Sequence, residues 1–312
     1  MGSRQYGSPC HCLLPTAYYH GGGPVARSER WTPYLFLLPA MVLLLFWRLV
    51  PLAAGLRESF YGNALNLTTG REWVGLDNFR YLFDDPTFWK SIRVTLLFNA
   101  IVNPLQVALA VLLALVAKQK VRGIAFFRTI LLLPVAISIN IATLAWGIAL
   151  DTNYGLVNGI LEAVGLERQP FLRSADQAMP TMVAIVSWIG VPFWMLFILA
   201  GLQSIPGDLI EAARIDGATR VKAFFGITLP LLRRVILFVL VADTVINFTL
   251  FAPPYLLTRG GPSQTTNLMM YDAWKRGFVY GDLGSSAAMV TILLGMLCLV
   301  LLFQFAFLRP KH

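Results

Sequence analysis

Residues Pro206–Pro230 read PGDLIEAARIDGATRVKAFFGITLP, a polar island between two strongly apolar stretches. Asp208 can act as an N-cap, because its carboxylate accepts the free N–H groups of a helix's first turn. Residues 209–216 then read as a short helix. Gly217 sits where the chain needs a left-handed C-terminal cap, and Thr219 is placed to cap a second short helix, 220–226. Pro230 opens the next apolar run. The expected local structure is helix, sharp glycine turn, helix, carried on a membrane surface.

The flanks of this island set the class. The chain is 57% hydrophobic and 13% charged, with a mean hydropathy of +0.66; a soluble domain carries about 25% charged residues. Too few charges are present to cover a water-exposed surface. Crossing about 30 Å of hydrocarbon takes about 20 apolar residues, and the runs 33–56, 94–117, 126–150, 180–203, 231–252 and 286–308 reach that length. The expected fold is all-α and polytopic, with six transmembrane helices. Pro39, Pro51, Pro104, Pro134 and Pro192 are tolerable there, since neighbouring helices re-satisfy the freed carbonyls. They point to bent helices around a cavity.

Residues 1–30 hold no apolar core followed by a small-residue cleavage site, so the first span is expected to serve as its own uncleaved insertion signal. With Gly21-Gly22-Gly23-Pro24 inside it, this stretch reads as a disordered cytoplasmic tail ahead of a membrane domain, 31–312. Cys10, His11, Cys12 and His20 lie in it. C-x-C lacks the usual spacing of a zinc site, so no metal is expected, and three cysteines give no disulfide framework.

The net charge of +9 is not gathered on one basic face, which argues against nucleic acid. It falls in the gaps between spans. The tail, the loop between the second and third spans, the 204–230 loop and the C-terminus carry the excess of Lys and Arg. That side is expected to be cytoplasmic, with both termini there. In the opposite loops, Asp77 can cap a short helix and Asp85-Pro86 supplies an N-cap with proline at the first helical position. Residues 154–161 read as a further short helix, and Leu257–Pro262 as a tight turn.

Glu211-Ala212-Ala213, Gly217 and Ile227-Thr228-Leu229-Pro230 fill the pattern EAA-x3-G-x9-I-x-L-P. In this the chain resembles the permease subunits of bacterial ABC importers. VGLDNFRYLF, GLVNGIL and LTRGGP extend the similarity, over about 30–308, to the maltose/glycerol-phosphate branch of carbohydrate permeases. Arg259 departs from it, standing where glycine or another small residue is expected.

The resemblance implies a type I importer permease fold in a bacterial inner membrane. It implies a second, homologous permease, two ATP-binding subunits and an extracytoplasmic binding protein as partners. The substrate would be a sugar, an oligosaccharide or a glycerol-phosphate compound. The coupling loop, 204–230, would seat in an ATPase groove through Glu211, Ala212, Ala213, Asp216, Gly217, Ile227, Leu229 and Pro230. ATP and magnesium would be bound by the partners, leaving this chain without a cofactor and without catalysis.

The residues agree on that last point. There is no G-x-x-x-x-G-K-[ST] phosphate loop, and the histidines, at 11, 20 and 312, all lie in the tails. A secondary transporter working without ATP is the alternative, for which midplane coupling residues and inverted repeats are the signature.

Asp243 and Arg48 are ionisable residues inside the spans. Asp243 is near the middle of the fifth, with Thr244, Asn247 and Phe251 continuing its face. A lipid-facing carboxylate there would cost a few kcal/mol, so Asp243 is expected to face a wet cavity or a partner group. Arg48, in the first span, either snorkels to the surface, pairs with Asp243, or meets a substrate phosphate. Asn99, Asn103 and Asn140 suit interhelical hydrogen bonds as well as ligand contact. Trp146, Trp188 and Trp194 could be sugar platforms or packing.

Overall fold

The computed structural model describes residues 32–62, 72–119 and 121–308. The expected tail, with Cys10, His11, Cys12 and His20, lies outside them, as does His312. The chain divides into two units, Met1–Ala53 and Ala54–His312. The described part of the first is the body of helix α1, Pro33–Glu58. Among the described residues there is no strand, only an isolated antiparallel bridge between Tyr61 and Trp73.

The second unit continues with α2 (Asp77–Asp84), α3 (Pro86–Ala117), α4 (Ile124–Leu132), α5 (Ile139–Ala149) and α6 (Leu156–Ala163). It is completed by α7 (Ala175–Gln203), α8 (Gly207–Ile215), α9 (Arg220–Phe248), α10 (Met269–Trp274) and α11 (Leu283–Leu308). Helices α1, α3, α7, α9 and α11 are each long and apolar enough to cross a membrane. The all-α, multi-span expectation holds, with one correction.

The run 126–150 is not a single helix. Its two pieces, Ile124–Ala136 and Ile139–Ala149, meet at 99°. Pro134 tightens the chain into a 3-10 turn, Leu133–Ala136. Ile137 and Ser138 are then extended, with ψ of 135° and 138°, before α5 restarts. Proline alone does not do this: Pro39, Pro104, Pro180 and Pro192 all sit inside unbroken helices. The two extended residues after Pro134 make the break.

The helix joining the island to the next span is also longer than expected. Thr219 Oγ1 caps it by accepting from the Lys222 N–H at 3.3 Å. From there α9 runs through Pro230 to Phe248 without stopping. A π-turn at Phe224–Thr228 makes this feasible, with the Leu229 N–H reaching back to the Phe224 carbonyl. Proline has no N–H to give and its ring presses on the carbonyl four residues back; the wider turn relieves both. The same device precedes Pro51 in α1, where Leu45–Leu49 is a π-turn and Val50 N–H reaches Leu45 O.

Helix α3 starts at Pro86, as Asp85-Pro86 led one to expect and ahead of the apolar run at 94, because Asp85 caps it with a 2.8 Å bond from the Thr87 N–H. Asp77 and Asp208, expected as caps, instead lie in the first turns of α2 and α8, where Leu76 and Pro206 hold the cap positions.

Packing centres on α3 and α7, which share the largest interface. Ala110, Ala114 and Ala117 of α3 meet Met195, Ile198 and Leu202 of α7, with Leu232 and Val239 of α9 closing the cluster. A second cluster joins α2, α3, α10 and α11 through Leu82, Phe88, Met269 and Met289. Lys118 donates to the last carbonyls of α7 (Leu202 O, 2.9 Å) and Arg128 to those of α3 (Ala117 O, 2.9 Å). Cations at helix C-termini satisfy orphan acceptors and the helix dipole together.

Candidate functional site

Between α3, α5, α7 and α9 lies a cleft of about 330 Å3. Its walls are apolar, from Val186, Ile189, Phe193, Ile246 and Leu250, and the break after Pro134 turns Val135 and Ile137 into it. Gln106, Trp194, Asp243 and Asn247 are its polar groups. An apolar pocket with a few convergent polar groups is the usual form of a small-molecule site.

Asp243 is 1% exposed. Its Oδ1 accepts from Trp194 Nε1 at 2.7 Å and from Asn247 Nδ2 at 3.0 Å. Its Oδ2 is buried without a partner, and so is Nε2 of Gln106. Both residues line the cleft, and both orphan atoms are buried within its wall. Gly190 is what lets Gln106 lie there: a Cβ at 190 would stand 2.9 Å from Gln106 Oε1.

Behind the cleft a chain of hydrogen bonds locks α9 to α3. Asn247 Nδ2 also donates to Asn103 Oδ1 at 2.8 Å, and Asn103 Nδ2 donates to Thr244 Oγ1 at 3.1 Å and to Asn99 Oδ1 at 3.3 Å. Gln304 of α11 adds a 2.8 Å bond to Thr244. In the absence of water such bonds hold helices in register.

Thus Asp243 and Asn247, expected on one face, do share the cleft. Thr244 faces α3 and α11. Phe251 lies beyond the end of α9, and its ring stacks on Tyr255 at 5.1 Å; the helical periodicity that put it with Asp243 stops at Phe248. Arg48 occupies the π-turn of α1, in the first unit. Gln106 and Phe193 were not anticipated, although Asn99, Asn103 and Gln106 recur at helical spacing. Trp194, ambiguous in sequence, belongs to the cleft. Trp146 and Trp188 instead pair edge to face at 5.4 Å.

The island keeps its expected turn. Gly217 has φ +81°, and the bonds Ala218 N–H to Ala213 O (2.8 Å) and Gly217 N–H to Arg214 O (3.0 Å) form a Schellman cap. Glu211, Ala212, Asp216 and Gly217 are exposed, and Ile215 is 87% exposed. Ala213 is not part of that face. It is buried, as is Ala223, where α8 folds back on the start of α9. Ile227 and Leu229 are half-buried and Pro230 is exposed. Ile205, Ile210 and Phe224 root the element in the α3–α7–α9 core.

At the other end of α3, Arg276 bonds to Asp85 and, at 3.2 Å, to Asp272, while Lys275 bonds to Asp272 at 3.1 Å. Burial works against charge on Asp85, but the bonds from Arg276 and the Thr87 N–H outweigh it and hold its carboxyl below the ordinary value. Burial likewise opposes charge on Arg276, and Asp85 with Asp272 raises its pKa. In the nearby 257–262 turn, Arg259 adopts φ +50°, the left-handed conformation that explains why a glycine is expected there.

Residues 106–311 match the family described as binding-protein-dependent transport system inner membrane component. The sn-glycerol-3-phosphate transport system permease protein UgpA of Agrobacterium fabrum is 34% identical over 281 residues, covering 89% of this chain and 95% of that protein. The probable ABC transporter permease protein YesP of Bacillus subtilis is 33% identical over 284 residues, covering 89% and 91%. A chain in the crystal structure of a bacterial ABC transporter involved in the import of the acidic polysaccharide alginate superposes with a TM-score of 0.77 at 25% identity, covering 90% and 96%.

Proposed function

The chain belongs to the binding-protein-dependent transport system inner membrane component family, and on that premise we propose that it forms half of a solute pathway in an ATP-driven importer. In this reading a second, homologous permease supplies the other half. Two ATP-binding subunits seat the α8 element of the two permeases, and an extracytoplasmic binding protein delivers the substrate, a sugar, oligosaccharide or glycerol-phosphate-type compound. ATP and magnesium belong to the partners, and this chain does no chemistry of its own. Both termini and α8 face the cytosol, as the Lys and Arg excess on that side favours.

One observation carries the reading. A single unbroken helix, α9, starts at the exposed α8 turn and ends at the cleft, where it holds Asp243 and Asn247. Glu211, Ala212, Asp216 and Gly217 provide the docking face. Ala213 makes the α8–α9 fold close enough to act as one body, while Ile227, Leu229 and Pro230 form the joint into the span. Substrate passes Asp243, Asn247, Gln106, Phe193 and Trp194; Thr244 steadies the wall from behind and Phe251 sits beyond its rim. Arg48 snorkels from α1.

Purification of the chain from its native membrane in mild detergent, with mass spectrometry of what accompanies it, tests the assignment. An ATPase bearing a phosphate loop and a second permease are the expected companions. A chain recovered alone that moves solute in liposomes without ATP would overturn the proposal and make Asp243 an ion-coupling group.

A further inference from the structure

We infer that a groove between the N-terminal ends of α3 and α7 holds a phospholipid with an anionic headgroup, its phosphate on Lys90 and Arg93 and an acyl chain along α3. The site is separate from the pathway proposed above. Its lining shares no residue with the cleft around Asp243, and it opens at the end of the bundle away from α8, whose Ile210 packs with the other end of α3.

The first support is charge at the right depth. Lys90, Arg93, Val94 and Leu97 of α3, Met179 of α7 and Thr265 bound a groove of about 550 Å3, whose lining holds two cations and no carboxylate. Lys90 gives one N–H to the Ser263 carbonyl at 2.7 Å, a neutral partner that leaves its charge unpaired. Arg93 is exposed and makes no hydrogen bond or ion pair among the described residues. Even Asp176, in the first turn of α7, forms no ion pair with it. The apolar run that crosses the membrane begins at Val94. Arg93 is therefore the residue just outside the hydrocarbon, and Lys90 lies about 4.5 Å farther out at 1.5 Å per residue. Trp89, 53% exposed on the same groove, fits the aromatic belt of that interface.

The second support is what lies beneath the cations. Residues four apart share a helix face, and Arg93 heads the series Leu97, Ile101 and Leu105, which are 51%, 43% and 38% exposed. From Arg93 to Leu105 the rise is about 18 Å, enough to line one leaflet of a bilayer whose hydrocarbon is about 30 Å thick. Helices that pack closely in a membrane meet through small residues, and this stripe has none. Branched side chains one turn apart suit a flexible acyl chain instead. A guanidinium fork matches the oxygens of a phosphate two at a time. A zwitterionic headgroup would bring an ammonium to two cations, with no carboxylate in the lining to receive it, so an anionic headgroup such as that of phosphatidylglycerol fits best.

The test takes the full chain with whatever subunits purify with it, strips it of lipid in mild detergent, and titrates it with phosphatidylglycerol or phosphatidylethanolamine under native mass spectrometry. The wild type should retain phosphatidylglycerol at least about fivefold more tightly than phosphatidylethanolamine, the effect of a single cation near an anionic lipid surface. Lys90→Gln and Arg93→Gln should each weaken that retention about fivefold, and the double variant should hold one phosphatidylglycerol fewer. Arg93→Lys, which keeps the charge, should retain most of it. Leu97→Ser should also weaken the lipid, whereas a site for a free anion would be indifferent to it. Equal retention of the two lipids by the wild type, a reading that needs no variant, would overturn the inference. So would a double variant that holds as much phosphatidylglycerol as its parent, the result expected if a protein partner covers the groove. Displacement of the lipid by an equal concentration of inorganic phosphate or sn-glycerol 3-phosphate would overturn it too, and would assign the cations to a soluble anion. No transport is measured, so the outcome is independent of whether the importer reading stands.

Discussion

The indole N–H of Trp194 donates to Oδ1 of Asp243 across 2.7 Å, tying α7 to α9 at the cleft wall. Replacing the donor leaves a buried carboxylate with Asn247 alone on that oxygen. Trp194→Phe is therefore expected to lower the unfolding free energy of the purified protein by about 1–3 kcal/mol, the usual cost of leaving a buried polar group short of a partner. Reversible unfolding in mixed micelles measures it, and a variant as stable as the parent would mean that water replaces the indole.

Gly217→Asp should spare membrane insertion and abolish transport. The backbone at φ +81° disfavours any side chain by roughly 1–2 kcal/mol, and the new carboxylate sits beside Asp216 on the exposed turn. Membrane-fraction blots and co-purified ATPase are the readouts. Wild-type levels of bound ATPase and uptake would remove α8 from the coupling path.

Gly190→Ala separates folding from solute handling. The three atoms nearest the added methyl all belong to the end of the Gln106 side chain, which can swing aside. Stability should change by less than about 1 kcal/mol. Uptake should fall several-fold, because the displaced amide intrudes on the cleft. The contrary result, a strong loss of stability with normal uptake per folded molecule, would place Gln106 in the packing alone.

Acid should loosen the Asp85–Arg276 clamp. The folded Asp85 carboxyl titrates below its ordinary value, and an unfolded aspartate titrates near about 3.9. Its contribution is therefore complete above about pH 4 and fades as the pH drops through the lower, folded value. Thermal unfolding of wild type and Asp85→Asn should differ by a constant amount between about pH 5 and 7, and the gap should close below about pH 4. Parallel curves down to the acid limit would show that the carboxylate adds no charge-dependent stability.

Much of this architecture is legible from local chemistry. Glycine at 217 announces a left-handed cap, Asp85-Pro86 announces a helix start, and apolar runs of about 20 residues announce spans. What escaped reading depends on partners distant in sequence. Pro134 looks no different from Pro104 or Pro192, yet only the former is followed by two extended residues and a turn of 99°. Gln106 resembles a stray polar residue until Gly190, on another helix, is seen to make room for it. Phe251 obeys the periodicity of α9 on paper, but the helix has already ended at Phe248. Ala213, written into an exposed motif, turns inward because α8 doubles back on α9.

Because Arg220–Phe248 is uninterrupted, the proposed coupling makes α9 a lever. From Arg220 to Asp243 its arm is about 35 Å at 1.5 Å per residue. A tilt of about 5° at the Thr219 end therefore carries the Asp243 carboxylate sideways by about 3 Å on that arm, the length of a hydrogen bond. The π-turn at Phe224–Thr228 lies a quarter of the way along, near the fulcrum, where a looser winding yields most easily to torque. On the proposed coupling, small angular strokes at one end become the making and breaking of individual polar contacts at the other.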